Sequence, residues 1–504
     1  MLFRRLHIGF LAAMILACTS ANGYPDITVI NGREIRPHGA SPVGEYGQIY
    51  KITVTPAKET VPAFKYRFTV PPHRTIPGNA ITHYLRSLGE RSLSSPWESV
   101  RKDTERKVND WSSSSTPSNE IPMDQLKSAS AAFDSYVQNH MRRATLCRDV
   151  DWGIAVEDMK GPEIVEFLLP SVQATREMAR ALLLQNRLAI EEQRFDDAAD
   201  RLRMTYQLGQ NVNEMGFLVS SLVGVAEVGM ANDGVLLFAA AKDSPNLYWA
   251  LAELPTPIID IRKSLQLDIS MPMRMFPELM DIENTDFSAD QWKKLLVKYT
   301  NDFGKLQAVM GGRSSAKTSQ TKGISMAVAL AGYSNAKQRM IERGYSEDKV
   351  EQMSVSQVIL TDAALDIEYF IQMQERISYV PASKADQFHS DWEKLIRKQE
   401  LKLRLGAIVV TAMSPATAQV RKSAFRVQAQ VNLLMAIESL RNHAAVHGKF
   451  PESLQDLALP VRANPLTERP FNYSLEGGKA VISLDLGHWD IHRYELSLKE
   501  EVSE

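Results

Sequence analysis

A long pair of helices, predicted over residues 163–242, constrains this chain more than any other stretch. Phe195, Ala198 and Leu202 recur three or four positions apart. That spacing places apolar side chains along one face of a helix. Residues 217–241 continue the pattern and are rich in Leu, Val, Ala and Gly. We expect the rest of the chain to lead into this pair or to pack against it.

The first part of this stretch resembles one helix-turn-helix unit of a tetratricopeptide repeat. The resemblance rests on the run LLLQNRLAIEEQRFDDAADRLRMTYQLG, with a short turn expected at residues 192–194. No second copy follows at the repeat period, and about three units are needed for a stable solenoid. A plain helical hairpin is therefore the alternative interpretation.

The apolar run at residues 217–241 is interpreted as a buried helix. Glu227 and Asn232 interrupt it, and such polar groups are costly in lipid. We therefore predict no transmembrane helix in the mature chain. Gly224 and Gly229 are expected to let two helices approach closely, because glycine has no side chain.

The N-terminus has the pattern of a secretory signal peptide. The basic residues Arg4 and Arg5 precede a short apolar stretch, residues 8–17, and small residues follow. We expect residues 1–23 to be removed and the mature protein to be extracytoplasmic, in the periplasm or secreted. The alternative is cleavage before Cys18 and lipidation of that cysteine, which would give a membrane-anchored lipoprotein.

The composition argues against several classes of partner and site. The 504 residues include 58 basic and 60 acidic side chains, for a net charge of -2. Nucleic-acid binding needs a basic excess or stripe, so no nucleic-acid partner is expected. One of the two cysteines lies in the targeting segment, so the mature chain has no internal disulfide framework.

After the signal peptide the chain divides into three predicted segments. Residues 24–120 contain two runs that alternate like strands, residues 49–54 and 64–70, which predicts a small β arm followed by a linker. Residues 121–423 have a helical pattern nearly throughout, and residues 424–504 are predicted to form a helix plus a β-hairpin. The predicted fold class is mainly α: a helical-hairpin array with a small N-terminal β arm and a C-terminal α+β module.

Several stretches together resemble a family of large secreted proteins of planctomycete-type bacteria. In chain order they include IPGNAITHYLRSL, CRDVDWG, FPEL and HGKFPESLQDL. The resemblance covers most of the mature chain and implies secretion and a single architecture. It implies no activity.

The C-terminal segment resembles the globular part of the major pseudopilins of type II secretion. An amphipathic helix over residues 426–447 is followed by Gly448, the pair Phe450-Pro451 and a Pro-containing loop. The family's N-terminal prepilin helix is absent, and Asn464 stands where the family has Asp. The resemblance therefore implies the local fold, without pilus assembly or a calcium site.

The same segment carries the candidate metal ligands. His443 and His447 lie four positions apart and share one helix face. His488, Asp490 and His492 alternate, so they would share one face of a strand. Imidazole and carboxylate groups at these spacings can bind zinc. The alternative is a set of solvated or helix-capping histidines with no cofactor.

No convincing catalytic set is found in the sequence. We therefore expect a non-enzymatic cell-envelope protein that acts through protein–protein contacts with envelope partners. The alternative is a metal-dependent hydrolase that uses the C-terminal histidine site.

Overall fold

The chain forms two compact units in the computed structural model. The structure describes residues 27–31, 48–93, 111, 121–131, 133, 137–155, 158–160, 170–310, 327, 330–396, 404–413, 417–486 and 491–499. One unit, which we call the terminal unit, comprises residues 19–153, 169–261 and 420–504. The other, which we call the middle unit, comprises residues 1–18, 154–168 and 262–419.

Both units consist mainly of helices, which confirms the predicted mainly α fold class. In chain order the α-helices are α1 (Ala80–Leu93), α2 (Met123–Ala131), α3 (Arg142–Leu146), α4 (Pro170–Glu191), α5 (Phe195–Asn213), α6 (Leu218–Ala240), α7 (Tyr248–Ala252), α8 (Arg262–Met275), α9 (Ala289–Met310), α10 (Tyr333–Glu342), α11 (Glu347–Gln352), α12 (Val355–Glu375), α13 (Ala382–Ile396), α14 (Leu405–Met413) and α15 (Thr417–His447). The strands are β1 (Ile27–Asn31), β2 (Gln48–Val54), β3 (Ile76–Asn79), β4 (Cys147–Asp149), β5 (Asn472–Glu476), β6 (Lys479–Asp485) and β7 (Ile491–Leu498).

The predicted helical hairpin is confirmed. Helix α4 ends at Glu191 and α5 begins at Phe195, so the turn lies at the predicted position. Ala198 and Leu202 are fully buried, as the apolar stripe of α5 predicts. Helix α6 packs against both α4 and α5. The likeness to a tetratricopeptide unit stays a prediction.

Helices α5 and α6 approach closely where two glycines face each other. A Cβ atom added to Gly224 would lie 2.5 Å from the Gly209 carbonyl oxygen, and one added to Gly209 would lie 2.8 Å from the Gly224 carbonyl oxygen. The prediction of a close approach at Gly224 is confirmed. The same prediction for Gly229 is wrong, because a Cβ there would meet nothing within 4 Å.

Helix α6 is long and apolar enough to cross a membrane by length and composition alone. Within the terminal unit, 67% of its most apolar window is buried. Such a helix can be the core of a water-soluble domain or a membrane span.

A five-stranded sheet joins the two ends of the chain. Its strand order is β1-β2-β7-β6-β5, and β2 runs parallel to β7 with Gln48 opposite His492. The strand predicted at residues 49–54 is thus confirmed. This pairing places the predicted arm and the predicted C-terminal module in one compact unit. The boundary predicted at residue 120 falls inside that unit, whereas the boundary predicted at residue 423 lies close to residue 420, where the last part of the unit begins.

Residues 64–70 do not form the second predicted strand. The alternation is real, since Tyr66 and Phe68 are buried. The Thr69 amide, however, donates to the Glu253 carboxylate at 3.0 Å instead of to a neighbouring strand. A side chain has taken the place of a ladder hydrogen bond, so the strand prediction here is wrong.

Helix α15 is buried on more than its apolar stripe. Val431, Ile437 and Leu440 are fully buried, as the predicted stripe requires. Gln428 and Asn432 are 2% and 4% exposed, so the amphipathic pattern does not mark an exposed polar face. These polar side chains bind the backbone of other segments, which is why a helix with this sequence can be a core element.

The middle unit has its own apolar core. Trp292 and Tyr299 of α9 pack with Phe370 of α12 in one cluster. Helices α12 and α14 cross at Gly406, where an added Cβ would lie 2.3 Å from the Ala363 carbonyl oxygen. The crossing therefore requires glycine at this position.

The two glycines of α6 give a matched test of the close approach. We expect Gly224→Ala to destabilise the protein by about 1–3 kcal/mol, because the new methyl group overlaps backbone. Gly229→Ala is the control, and it should stabilise the protein by about 0.5–1 kcal/mol through helix propensity. Chemical unfolding of both variants measures the difference. Equal effects would contradict the close approach.

Candidate functional site

A fully buried ion pair on α15 connects several segments of the terminal unit. Arg441 is 0% exposed and Glu438 1% exposed, and Arg441 Nη1 donates to both Glu438 carboxylate oxygens at 2.8 and 2.9 Å. Arg441 Nη2 donates to the Ser244 carbonyl at 2.8 Å, and Nε donates to the Thr55 carbonyl at 2.9 Å. The Leu247 amide donates to Glu438 Oε2 at 3.0 Å. We call these five residues the Arg441 node. Its hydrogen bonds compensate the burial of both charges.

Residues next to the node hold the chain that follows β2. The Ala57 amide donates to the Arg441 carbonyl at 3.1 Å, and the Ala57 carbonyl accepts from Asn246 Nδ2 at 3.0 Å. The Glu59 amide donates to Asn442 Oδ1 at 2.8 Å. Helix α15 and the loop before α7 therefore fix the path of this segment.

The sequence did not lead us to expect this ion pair. Glu438 and Arg441 are three positions apart, a spacing at which opposite charges usually pair on an exposed helix face. The apolar residues around them, in the run LLMAIESLRNHAA, could have indicated that this part of the helix is buried on all sides.

Beyond the node the chain presents an exposed aromatic and aliphatic surface. Val61 is 91% exposed and Phe64 44% exposed. The Phe64 ring lies 6.1 Å from the Trp249 ring, and the Arg67 guanidinium lies 4.3 Å from the centre of the Phe64 ring. Trp249 Nε1 donates to Glu59 Oε2 at 2.7 Å. We call these five residues the arm surface.

The arm surface is held in place from its inner side. Arg67 Nη1 donates to Glu253 Oε2 at 2.7 Å, and the Thr69 amide donates to Glu253 Oε1. The Tyr66 hydroxyl donates to Asp196 Oδ1 at 2.8 Å. Aromatic and arginine side chains that are already fixed lose little conformational entropy on binding, which favours their use in protein contacts.

The middle unit contains a separate buried ionic cluster. Asp362 and Asp366 are 3% and 0% exposed. Arg339 Nε donates to Asp362 at 3.1 Å, Arg404 Nε donates to Asp366 at 2.8 Å, and Arg343 donates to both carboxylates. Burial raises the pKa of the Asp362 carboxyl; its bond to Arg339 opposes this shift and the Asp366 charge adds to it. Because all three guanidinium groups are used here, the cluster fixes α10 and the start of α14 to α12.

The structure brings two of the predicted metal ligands together. The rings of His443 and His447 lie 4.2 Å apart, centre to centre. Burial lowers the pKa of His443, the neighbouring His447 adds to this shift, and Asp456 opposes it. Among the residues that the structure describes, no three His, Cys, Asp or Glu side chains form a group that could hold a metal ion.

Of the other predicted ligands, the structure places His492 on β7. His492 lies opposite Gln48 in the sheet, with its ring 5.7 Å from the Tyr50 ring. His488 and Asp490 lie outside the described residues. The zinc site, and the hydrolase function that would use it, stay predictions.

Asn464 has a structural role that an aspartate could not fill. It is 2% exposed, and its Nδ2 donates to the Asp485 carbonyl at 2.6 Å. Its Oδ1 accepts from the Leu466 amide at 2.9 Å. A carboxylate can accept a hydrogen bond but cannot donate one, so the amide suits this loop. The resemblance to pseudopilins stays a prediction.

Glu227 is a fully buried carboxyl in the helical core. It lies on α6, and an added Cβ at Gly209 would be only 3.4 Å from its Cβ. Burial raises the pKa of Glu227 to about 8. The Thr175 hydroxyl and the Arg176 charge oppose this shift without cancelling it. The Thr175 hydroxyl also donates to the Val172 carbonyl at 2.8 Å. Glu227 is therefore inaccessible to substrate but sensitive to pH.

Comparisons with family models, with curated proteins and with solved structures find no match to this chain.

The buried Glu227 predicts a pH dependence of stability. Its pKa is about 8 in the folded protein against 4.5 for an ordinary glutamate, so the unfolded state releases this proton first. The contribution of Glu227 to the free energy of unfolding is therefore fully present below pH 4.5 and is lost as the pH rises towards 8. The loss is on the order of a few kcal/mol, at about 1.4 kcal/mol per pKa unit.

Thermal unfolding at pH values between these two limits tests the effect. Glu227→Gln cannot ionise, so its unfolding temperature should fall less with rising pH than that of the unmodified protein. Glu452→Gln, at an exposed position of the same unit, is the control and should leave the slope unchanged. Parallel curves for Glu227→Gln and the unmodified protein would refute the assignment.

Proposed function

We propose that this protein is a non-enzymatic cell-envelope protein that acts through protein–protein contacts, and that the arm surface is the contact site. The observation that carries the proposal is the exposure of Val61 and Phe64 beside Arg67 and Trp249. Aromatic and arginine side chains dominate the binding energy of protein interfaces.

The arm surface combines exposure with a fixed position. Val61 and Phe64 are open to a partner, while the backbone on their N-terminal side is bonded to Arg441 and Asn442. A partner that covers Phe64 would gain about 25 cal/mol of binding free energy for each Å² of apolar surface that it buries. The expected partner surface is therefore apolar, with a carboxylate able to approach Arg67.

The envelope location rests on the N-terminal pattern. Residues 1–23, including Cys18, lie outside the described residues. The proposed location is extracytoplasmic, with removal of this segment or a lipid anchor at Cys18 as the two routes. Mass spectrometry of the mature N-terminus distinguishes them.

Site-specific photo-crosslinking in intact cells tests the contact site. A photoreactive phenylalanine derivative in place of Phe64 should give discrete protein adducts. The same derivative in place of Tyr379, which is 64% exposed in the middle unit, is the control for exposure alone and should not give them.

A second substitution tests whether the arm surface itself makes the contact. Val61→Asp, added to the photoreactive protein, should lower the adduct yield by about tenfold, since a buried unpaired charge costs more than 1.4 kcal/mol. Val446→Asp changes an exposed valine of α15 elsewhere in the same unit and should leave the yield unchanged. No adduct at position 64, or equal loss in both variants, would overturn the proposal.

A further inference from the structure

A cluster of basic side chains lies where α1 packs against α3 and the single π-helical turn before it, Val137–Met141. His83 and Arg86 are three positions apart on α1, and His140 and Arg143 are three apart across that turn and α3. Residues three apart lie side by side on a helix. The rings of His83 and His140 are 6.2 Å apart, centre to centre. We call these four residues the basic cluster.

The charges that act on His83 are all basic. After burial, which lowers the pKa of His83 most, Arg143, His140 and Arg86 each lower it further. On the neighbouring strand β4, Asp149 raises the pKa of the Cys147 thiol, but no carboxylate contributes to the shift of His83. The cluster is therefore a local concentration of positive charge in a chain whose overall charge is close to zero.

Arg86 and Arg143 differ from the arginines nearby. Both are exposed, and neither guanidinium makes an ion pair or hydrogen bond in the described part of the chain. By contrast, Arg142 pairs with Asp200 at 2.9 Å, and Arg203 pairs with the same carboxylate at 2.7 Å. The carboxylate of Asp200 is thus already paired with other arginines.

Two buried polar atoms on the same helix lack hydrogen-bond partners. His83 Nδ1 is buried without one, and so is the Ser87 hydroxyl, one helical turn later on the same face of α1. Ser87 is only 1% exposed. A buried polar group without a partner costs free energy, which a bound acceptor can recover.

We propose that His83, Arg86, His140 and Arg143 form a binding site for a phosphate-class anion. Guanidinium forks match the paired oxygens of a phosphate group, and imidazolium groups donate to the remaining oxygens. The anion belongs either to a free phosphate compound or to a phospholipid headgroup.

The site carries its own pH dependence. A bound anion favours the protonated imidazole, so binding takes up a proton at His83. Before an anion binds, this proton is opposed by Arg86 on the same helix and by His140 and Arg143 on the facing elements. Affinity should therefore fall several-fold as the pH rises from about 5.5 to about 7.5.

Titration calorimetry of the full mature chain with inorganic pyrophosphate tests the site at low salt. Saturable binding is expected, tighter at the lower pH. Arg143→Gln and Arg86→Gln should each weaken it by about tenfold, the usual effect of losing a charge-assisted hydrogen bond. Arg148→Gln removes the same charge from an exposed position on β4 and should leave pyrophosphate binding unchanged. This control separates a specific site from general attraction between charges.

Vesicles distinguish the two sources of the phosphate. Sedimentation with phosphatidylcholine vesicles, with and without phosphatidylglycerol, is measured for the unmodified protein and for Arg143→Gln. Recruitment by phosphatidylglycerol that is lost in Arg143→Gln assigns a lipid headgroup, whereas pyrophosphate binding alone assigns a free anion. Absence of both kinds of binding, or equal weakening by Arg148→Gln, would overturn the proposal. Because the basic cluster shares no residue with the arm surface, this result is independent of the crosslinking result.

Discussion

The terminal unit depends on the buried ion pair between Glu438 and Arg441. Removing one partner of such a pair typically costs about 3–5 kcal/mol, because the other charge is left buried and unpaired. Here the loss would also break the bonds of Arg441 to the carbonyls of Thr55 and Ser244. One side chain thus joins the segment after β2, the loop before α7 and the central helix α15. The exposed arm surface begins only a few residues beyond that junction.

Polar groups, as well as apolar packing, specify the position of α15. Gln428 accepts from the Ile258 amide at 2.8 Å, and Asn432 donates to the Ala463 carbonyl at 2.8 Å. The first bond satisfies a backbone amide in a buried residue, Ile258, and the second joins α15 to the loop before β5. The close approach of α5 and α6 fixes a second part of this core. There Gly209 and Gly224 have no side chains, so the two backbones can pack directly against each other. The proposed contact surface is therefore carried by a core that leaves little freedom in its placement.

Much of the fold could be predicted from local patterns. The apolar period of α5, the turn before it and the close approach at Gly224 follow from residues near one another in the sequence. The parallel pairing of Gln48 with His492 could not be predicted. Two strands so far apart in the chain show no pattern in the sequence that indicates which strand pairs with which. Gly229 shows the limit of the local argument: glycine permits a close approach without requiring one.

The candidate sites were harder to predict, because each is assembled from distant segments. The basic cluster joins α1 to α3, and its arginines have no distinctive spacing in the sequence. The arm surface is defined by Phe64 and Trp249, which meet only after folding. The histidine spacing did predict that His443 and His447 would adjoin, since four positions make one helical turn. It could not say whether a third ligand meets them.

Hydrogen exchange of Arg441→Lys, detected by mass spectrometry, tests the central role of the node most directly. Lysine keeps the charge beside Glu438 but lacks the fork that reaches Thr55 and Ser244 together. We expect faster exchange at the amides of Ala57 and Glu59, with the amides of α5 unchanged. Unchanged exchange at Ala57 and Glu59 would contradict the claim that the buried ion pair positions the arm surface.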